Sequence, residues 1–151
     1  MNKEICKKWM RFAINEAIMA FDDGETPIGA VVVSKNKIIG RGYNQVEKLN
    51  DPTAHAEMIA ITSAANSLSD WRLNDSSIFI TKEPCPMCAG AIVNARVKRL
   101  IYGAPNEKAG AAWTLYNIPQ DKRLNHYTEI TDGILRKESE ELLTSFFENK
   151  R

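Results

Sequence analysis

Apolar residues recur at helical spacing near the start of the chain, with Ile5, Trp9, Phe12, Ala13 and Ile18 on one stripe within residues 2–21. This spacing predicts one amphipathic helix, stopped by the DDGE run at Gly24. The period then changes. IGAVVVS is a β-branched run, SKNK reads as a turn, and KIIGRG reads as a second strand, together a hairpin. Residues 44–50 are polar and predict a loop. Asp51 followed by Pro52 reads as a helix start, with Asp51 as cap, Pro52 in the first helical position and Thr53 as an alternative cap. That helix is expected to run to about Leu68. SSIFIT predicts a strand, KEPCP a loop, residues 87–95 a helix and VKRLIYGA another strand. Residues 105–125 are mixed and predict a loop with short helical turns. HYTEIT reads as a last strand. Residues 133–151 read as a terminal helix whose apolar side holds Ile134, Leu142, Leu143, Phe146 and Phe147. Strands alternating with helices predict an α/β fold, a mixed sheet with helices on both faces. No repeat, low-complexity segment or linker interrupts residues 1–151, so a single domain is expected.

Composition narrows the class. The 151 residues are 44% hydrophobic and 26% charged, the balance of a globular chain with its own core. A net charge of +1 neither demands nor excludes a nucleic-acid partner. The first residues carry charge with no long apolar run behind them, so neither a signal peptide nor a membrane span is expected. Three cysteines without a secretion signal favour metal or redox chemistry over a disulfide framework, and a cytoplasmic setting. Cys6, on the first helix, reads as a small apolar residue.

Two motifs carry the chemistry. His55-Ala56-Glu57 lies in the first turn of one predicted helix, and Pro84-Cys85-Pro86-Met87-Cys88 opens the next long one. Side chains at i and i+2 do not face each other along a helix. In a first turn, both can instead reach forward to something held beyond the helix end. One imidazole and two thiolates suit zinc. Three protein ligands leave a fourth position open, the pattern of a catalytic site, in which a bound water's pKa falls to roughly 7. Helix N-termini favour thiolate over thiol. Glu57 would then take and return a proton. Each motif alone has an ordinary explanation: Cys-x-x-Cys as structural zinc or a redox pair, the histidine as a satisfied core residue. Their conjunction at two helix starts favours catalytic zinc.

His-x-Glu followed by Pro-Cys-x-x-Cys is the signature of zinc nucleobase deaminases. TPIGAVVV, RGYN, NDPTAHAE, WRLND, EPCPMCAGAI, YGAPNEKAGAA, RLNH and LLTSFFENKR extend the likeness, so that nearly the whole chain resembles the bacterial tRNA adenosine deaminases. The resemblance implies a cytidine deaminase-like fold, a five-stranded mixed sheet sandwiched between helices. It implies hydrolytic conversion of the wobble adenosine of tRNA anticodons to inosine. One zinc per subunit would be held by His55, Cys85 and Cys88, with Glu57 as proton shuttle. Amides near Ala56 and Cys85 would steady the tetrahedral centre or the leaving group. Asn44 would hydrogen-bond the flipped base, and Ala56, Pro84, Asn106 and Lys108 would be further substrate contacts. The partner would be a tRNA anticodon stem-loop, whose loop nucleotides are already poorly stacked and cheap to extrude. A homodimer is implied, its RNA site drawn from both chains. Lys108, Lys150 and Arg151 stand where the family contacts phosphates.

Three positions depart from the family pattern. Asn106 stands where Asp is common, near the sugar beside the target. Having lost the carboxylate's charge and its acceptance of a ribose 2′-OH, the site is expected to prefer RNA over DNA less strongly. Trp113-Thr114 replaces small or polar residues, and Trp113 is expected in the core. Lys82 precedes EPC where an apolar residue is common, and would add a phosphate contact at the site mouth. Two other functions fit parts of the pattern. A deaminase of a free base or nucleoside, guanine or cytosine type, would share the zinc core. A non-catalytic zinc domain binding RNA or a partner would have no use for Glu57.

Overall fold

The computed structural model describes residues 1–149; Lys150 and Arg151, the expected phosphate contacts of the tail, lie outside the described residues. Asn2 caps the first helix, its Oδ1 accepting from the Ile5 N–H at 2.9 Å. Helix α1 (Lys3–Asp22) follows. Strand β1 (Gly29–Ser34) turns through Lys35 and Asn36, both at positive φ, into β2 (Lys37–Tyr43). That double left-handed step is the tight hairpin connection whose twist suits two paired strands. A short helix α2 (Val46–Leu49) lies in the segment expected as loop.

Helix α3 (Ala56–Leu68) begins later than Asp51 and Pro52 suggested. The carboxylate of Asp51 is spent on a local turn, accepting from the Thr53 N–H at 2.8 Å and the Thr53 hydroxyl at 2.7 Å. His55 is left as the residue that caps α3. Strand β3 (Ser76–Lys82), helix α4 (Pro86–Asn94), strand β4 (Arg99–Ala104), the short strand β5 (Glu129–Thr131) and helix α5 (Arg136–Asn149) complete the chain. Gly133 and Leu135, both at positive φ, delay α5 to Arg136 instead of the expected Gly133.

The sheet order is β2-β1-β3-β4-β5, with β1 antiparallel to both neighbours and β3, β4 and β5 parallel. Alternate residues of the central strands face opposite layers. Val31, Val33, Phe79 and Ile101 pack with Trp9, Met10 and Ala13 of α1. Phe146 of α5 meets Phe21 of α1 edge-on on that side, ring centroids 5.8 Å apart. Ala30, Val32, Ile78, Ile80, Leu100 and Tyr102 pack with Ala56, Ala60 and Ala64 of α3 and Ile92 of α4. The result is a five-stranded mixed sheet between helices. Cys6 is buried among apolar residues, as expected, whereas Phe147 is exposed.

The height of α3 over the sheet is set by missing side chains. A Cβ on Gly42 would stand 2.4 Å from the Ala56 carbonyl oxygen, and one on Gly40 would stand 2.4 Å from that of Ala60. Helix backbone therefore rests directly on β2, which fixes where the N-terminus of α3 emerges. The N-terminus of α4 emerges at the carboxyl end of β3, where open α/β sheets bind ligands. Among the described residues, no helix is long and apolar enough to cross a membrane.

Candidate active site and metal centre

The two helix starts converge. His55 caps α3 and Cys85 caps α4, and neither side chain makes a capping hydrogen bond. A serine or aspartate there would turn back onto the first-turn amides. These two residues turn toward each other. His55 Nδ1 lies 3.6 Å from Cys85 Sγ and 3.5 Å from Cys88 Sγ, and the three donor atoms lie within 4.8 Å of one another. A tetrahedral zinc ion, with Zn–S near 2.3 Å and Zn–N of 2.0–2.1 Å, would hold N and S about 3.6 Å apart. The donor set and its spacing therefore fit zinc, with Nδ1 as the imidazole donor.

The electrostatics agree with a site built for a cation. A hydrogen bond from Cys88 draws Cys85 down to about 4, aided by His55 and opposed by burial. The same contact with Cys85, then burial, pushes Cys88 up. The hydrogen bond to Cys85 raises His55. Binding of a divalent cation requires both sulfurs as thiolates and the imidazole neutral, and so releases protons. The first-turn amides of both helices add positive potential around the sulfurs. Glu57, 4% exposed, has its carboxyl pKa raised by burial, with its own backbone N–H and the nearby His55 opposing the rise.

A cavity of about 270 Å³ opens beside this centre. That is at the small end of ligand pockets, which begin near 300 Å³, and suits one compact group. His55, Glu57 and Cys85 form one wall, and Asn44 and Asn106 line other parts of it. Lys82 lines it too, its pKa lowered by burial and then by the nearby charge of Lys108. Ala56 and Pro84 are buried beneath the metal wall, and the Pro84 carbonyl accepts from the Ala111 N–H at 2.9 Å. Lys108 is exposed and does not line the cavity. Trp113 is 75% exposed, against the expectation that it fills the core. Its backbone is tied to the cavity rim, and Ala111 and Ala112 occupy the buried positions beside it.

Two buried carboxylates that sequence reasoning did not single out hold the remaining walls. Glu25 accepts from the N–H groups of Glu47 and Lys48 at 3.1 and 2.7 Å, fixing the segment after Asn44. Glu83, 2% exposed, accepts from the N–H groups of Asn106, Ala112, Trp113 and Thr114 and from the Thr114 hydroxyl. Burial opposes its charge, but these hydrogen bonds outweigh burial and hold the carboxyl below its ordinary range. Neither has a local signature, because every partner lies more than twenty residues downstream.

A buried carboxylate beside a His/Cys/Cys centre, on a five-stranded α/β sandwich, is the arrangement of the cytidine deaminase-like enzymes. The chain belongs to the MafB19-like deaminase family, whose model matches residues 4–150. A tRNA-specific adenosine deaminase of Bacillus subtilis (strain 168) is 43% identical over 143 residues, spanning 95% of this chain and 89% of that relative. A solved structure described under A-to-I editing by tRNA:A34 deaminases at the wobble position of transfer RNA matches with a TM-score of 0.86 and 39% identity, over 90% of this chain and 99% of that one. A guanine deaminase structure from Bacillus subtilis shares 42% identity over 70% of this chain and 66% of its own, with a TM-score of 0.64.

Proposed function

We propose that this chain is a zinc-dependent hydrolase that converts the wobble adenosine of tRNA anticodons to inosine. The observation that carries the reading is the likeness to tRNA-specific adenosine deaminases along 95% of the chain. The guanine deaminase structure at comparable identity covers 70% of this chain, with the lower TM-score of 0.64.

The reaction adds water at C6 of adenine, breaks the C6–N6 bond and releases ammonia. Zinc held by His55, Cys85 and Cys88 would supply a Lewis acid that acidifies water to roughly pKa 7. Glu57 takes the proton of the attacking water, passes it to the ring nitrogen N1, and then assists the departure of the amine. Its burial keeps competing solvent away from that proton. The Asn44 amide offers both a donor and an acceptor to the base edge. Amides near Ala56 and Cys85 steady the developing charge. Pro84 shapes the floor, Asn106 lies beside the sugar, and Lys82 and Lys108 attract phosphate at the mouth. One base fits the cavity, so the target nucleotide enters flipped out of its stack.

The homodimer and the cytoplasmic setting belong to the same reading. The test is a deamination assay on an anticodon stem-loop with adenosine at the wobble position, with free guanine, cytidine and adenosine in parallel. Inosine formed only in the stem-loop is expected. Turnover of a free base with the stem-loop untouched would replace this function with the guanine or cytosine alternative.

A further inference from the structure

The loop between β4 and β5, which lines the cavity through Asn106, has no regular structure of its own and is wrapped around one side chain. Glu83 Oε2 accepts from the N–H groups of Ala112, Trp113 and Thr114 at 3.1, 2.8 and 2.9 Å. Oε1 accepts from the Asn106 N–H at 3.1 Å and from the Thr114 hydroxyl. Among the described residues no lysine or arginine pairs with this carboxylate; its charge is met by peptide dipoles. The loop closes so tightly that a Cβ on Gly110 would stand 2.6 Å from the carboxylate carbon. Asn106 in turn fixes the tip, its carbonyl accepting from the Gly110 N–H at 2.8 Å and its Oδ1 from the Ala109 N–H at 3.1 Å. Glu83 is also two residues before the ligand Cys85, and its own N–H is bound to the Ala104 carbonyl at 2.8 Å. One residue thus ties the substrate wall to the metal wall.

We infer that Glu83 is a positioning residue for substrate recognition: its carboxylate holds Asn106 at the cavity wall, braced by the loop segment 112–114 behind it, and so sets the grip on the nucleotide strand around the target base, without touching the reacting atoms. This rests on reading the cavity as a deaminase site. The two oxygens have separable duties. In Glu83→Gln the amide oxygen can keep the three N–H groups of residues 112–114. The new NH₂ then faces the Asn106 N–H, donor against donor, and that amide loses its acceptor.

The experiment is Glu83→Gln in the zinc-loaded full chain, read by amide hydrogen exchange and by kinetics on the wobble-adenosine stem-loop. Exchange at Asn106 is expected to rise at least about tenfold, while Ala112, Trp113 and Thr114 stay within about threefold of the parent. KM for the stem-loop is expected to rise about five- to tenfold, with kcat within about twofold and zinc at one per chain. A residue that only stabilises the fold would lower the melting temperature and leave KM unchanged. Asn106 protected as in the parent, or KM unchanged, overturns the inference. Should Glu83→Gln not fold, Thr114→Val removes one donor and keeps the carboxylate. It is then expected to raise KM about two- to threefold, and no change overturns the inference equally. If the parent itself leaves the stem-loop untouched, the functional reading falls, and exchange at Asn106 alone still decides whether Glu83 holds the wall.

Discussion

The cavity has two kinds of wall, built by opposite means. The metal wall comes from the N-termini of α3 and α4, regular elements whose capping positions are occupied by His55 and Cys85 in place of ordinary caps. The substrate walls are the single-turn helix α2 after Asn44, whose amides are held by the buried carboxylate of Glu25, and the irregular loop after Ala104, held by that of Glu83. The start of α1 shows what the first wall gave up. There Asn2 turns back onto the Ile5 N–H and caps the helix in the usual way. At α3 and α4 that local bond is forgone, and the side chains turn toward each other in a donor set that fits one cation. Departures from local rules gather where the chemistry is. The metal wall can therefore stay rigid while the substrate walls are tuned by hydrogen bonds from a distance.

Substitutions can separate the walls. The largest effect is expected from Cys85→Ala, which should leave the chain without stoichiometric zinc and without measurable turnover; metal analysis beside the stem-loop assay checks this. Gly42→Ala should come next. Its Cβ would collide with the Ala56 carbonyl, costing about 1–3 kcal/mol in denaturant unfolding and displacing the N-terminus of α3, so zinc affinity should fall with stability. Asn2→Ala should cost about 1 kcal/mol of stability and leave zinc content and kcat alone, since α1 lies on the far face of the sheet. The smallest and most specific effect belongs to Asn106→Asp. Its Oδ1 bond to the Ala109 N–H survives the change, so the loop should keep its shape. The ratio of RNA to DNA turnover should rise, and equal ratios for the two proteins would remove Asn106 from substrate discrimination.

The same division explains what could be read from the chain. His55, Glu57, Cys85 and Cys88 lie in short motifs, and a motif at a helix start carries its geometry with it. The layered α/β sheet was legible because strand and helix periods alternate along the chain. Asp51, Pro52 and Thr53 have the chemistry of a cap and so predict too early a start for α3, because nothing nearby in the chain shows that Asp51 closes a turn instead. Trp113 was expected in the core because an indole is large and apolar. Its position is decided by a backbone bond to a glutamate thirty residues earlier. Glu25 and Glu83 have their partners remote in sequence, so no local pattern marks their role.

The role of Glu57 is decided by setting Glu57→Gln beside the parent, zinc-loaded, on the anticodon stem-loop. Wobble inosine should form with the parent. The variant should keep one zinc per chain and bind the stem-loop while losing turnover by at least about 10³-fold, since the lost group moves the protons. Turnover within tenfold of the parent, at equal zinc, would contradict the assignment of Glu57 and with it the mechanism built on this cavity.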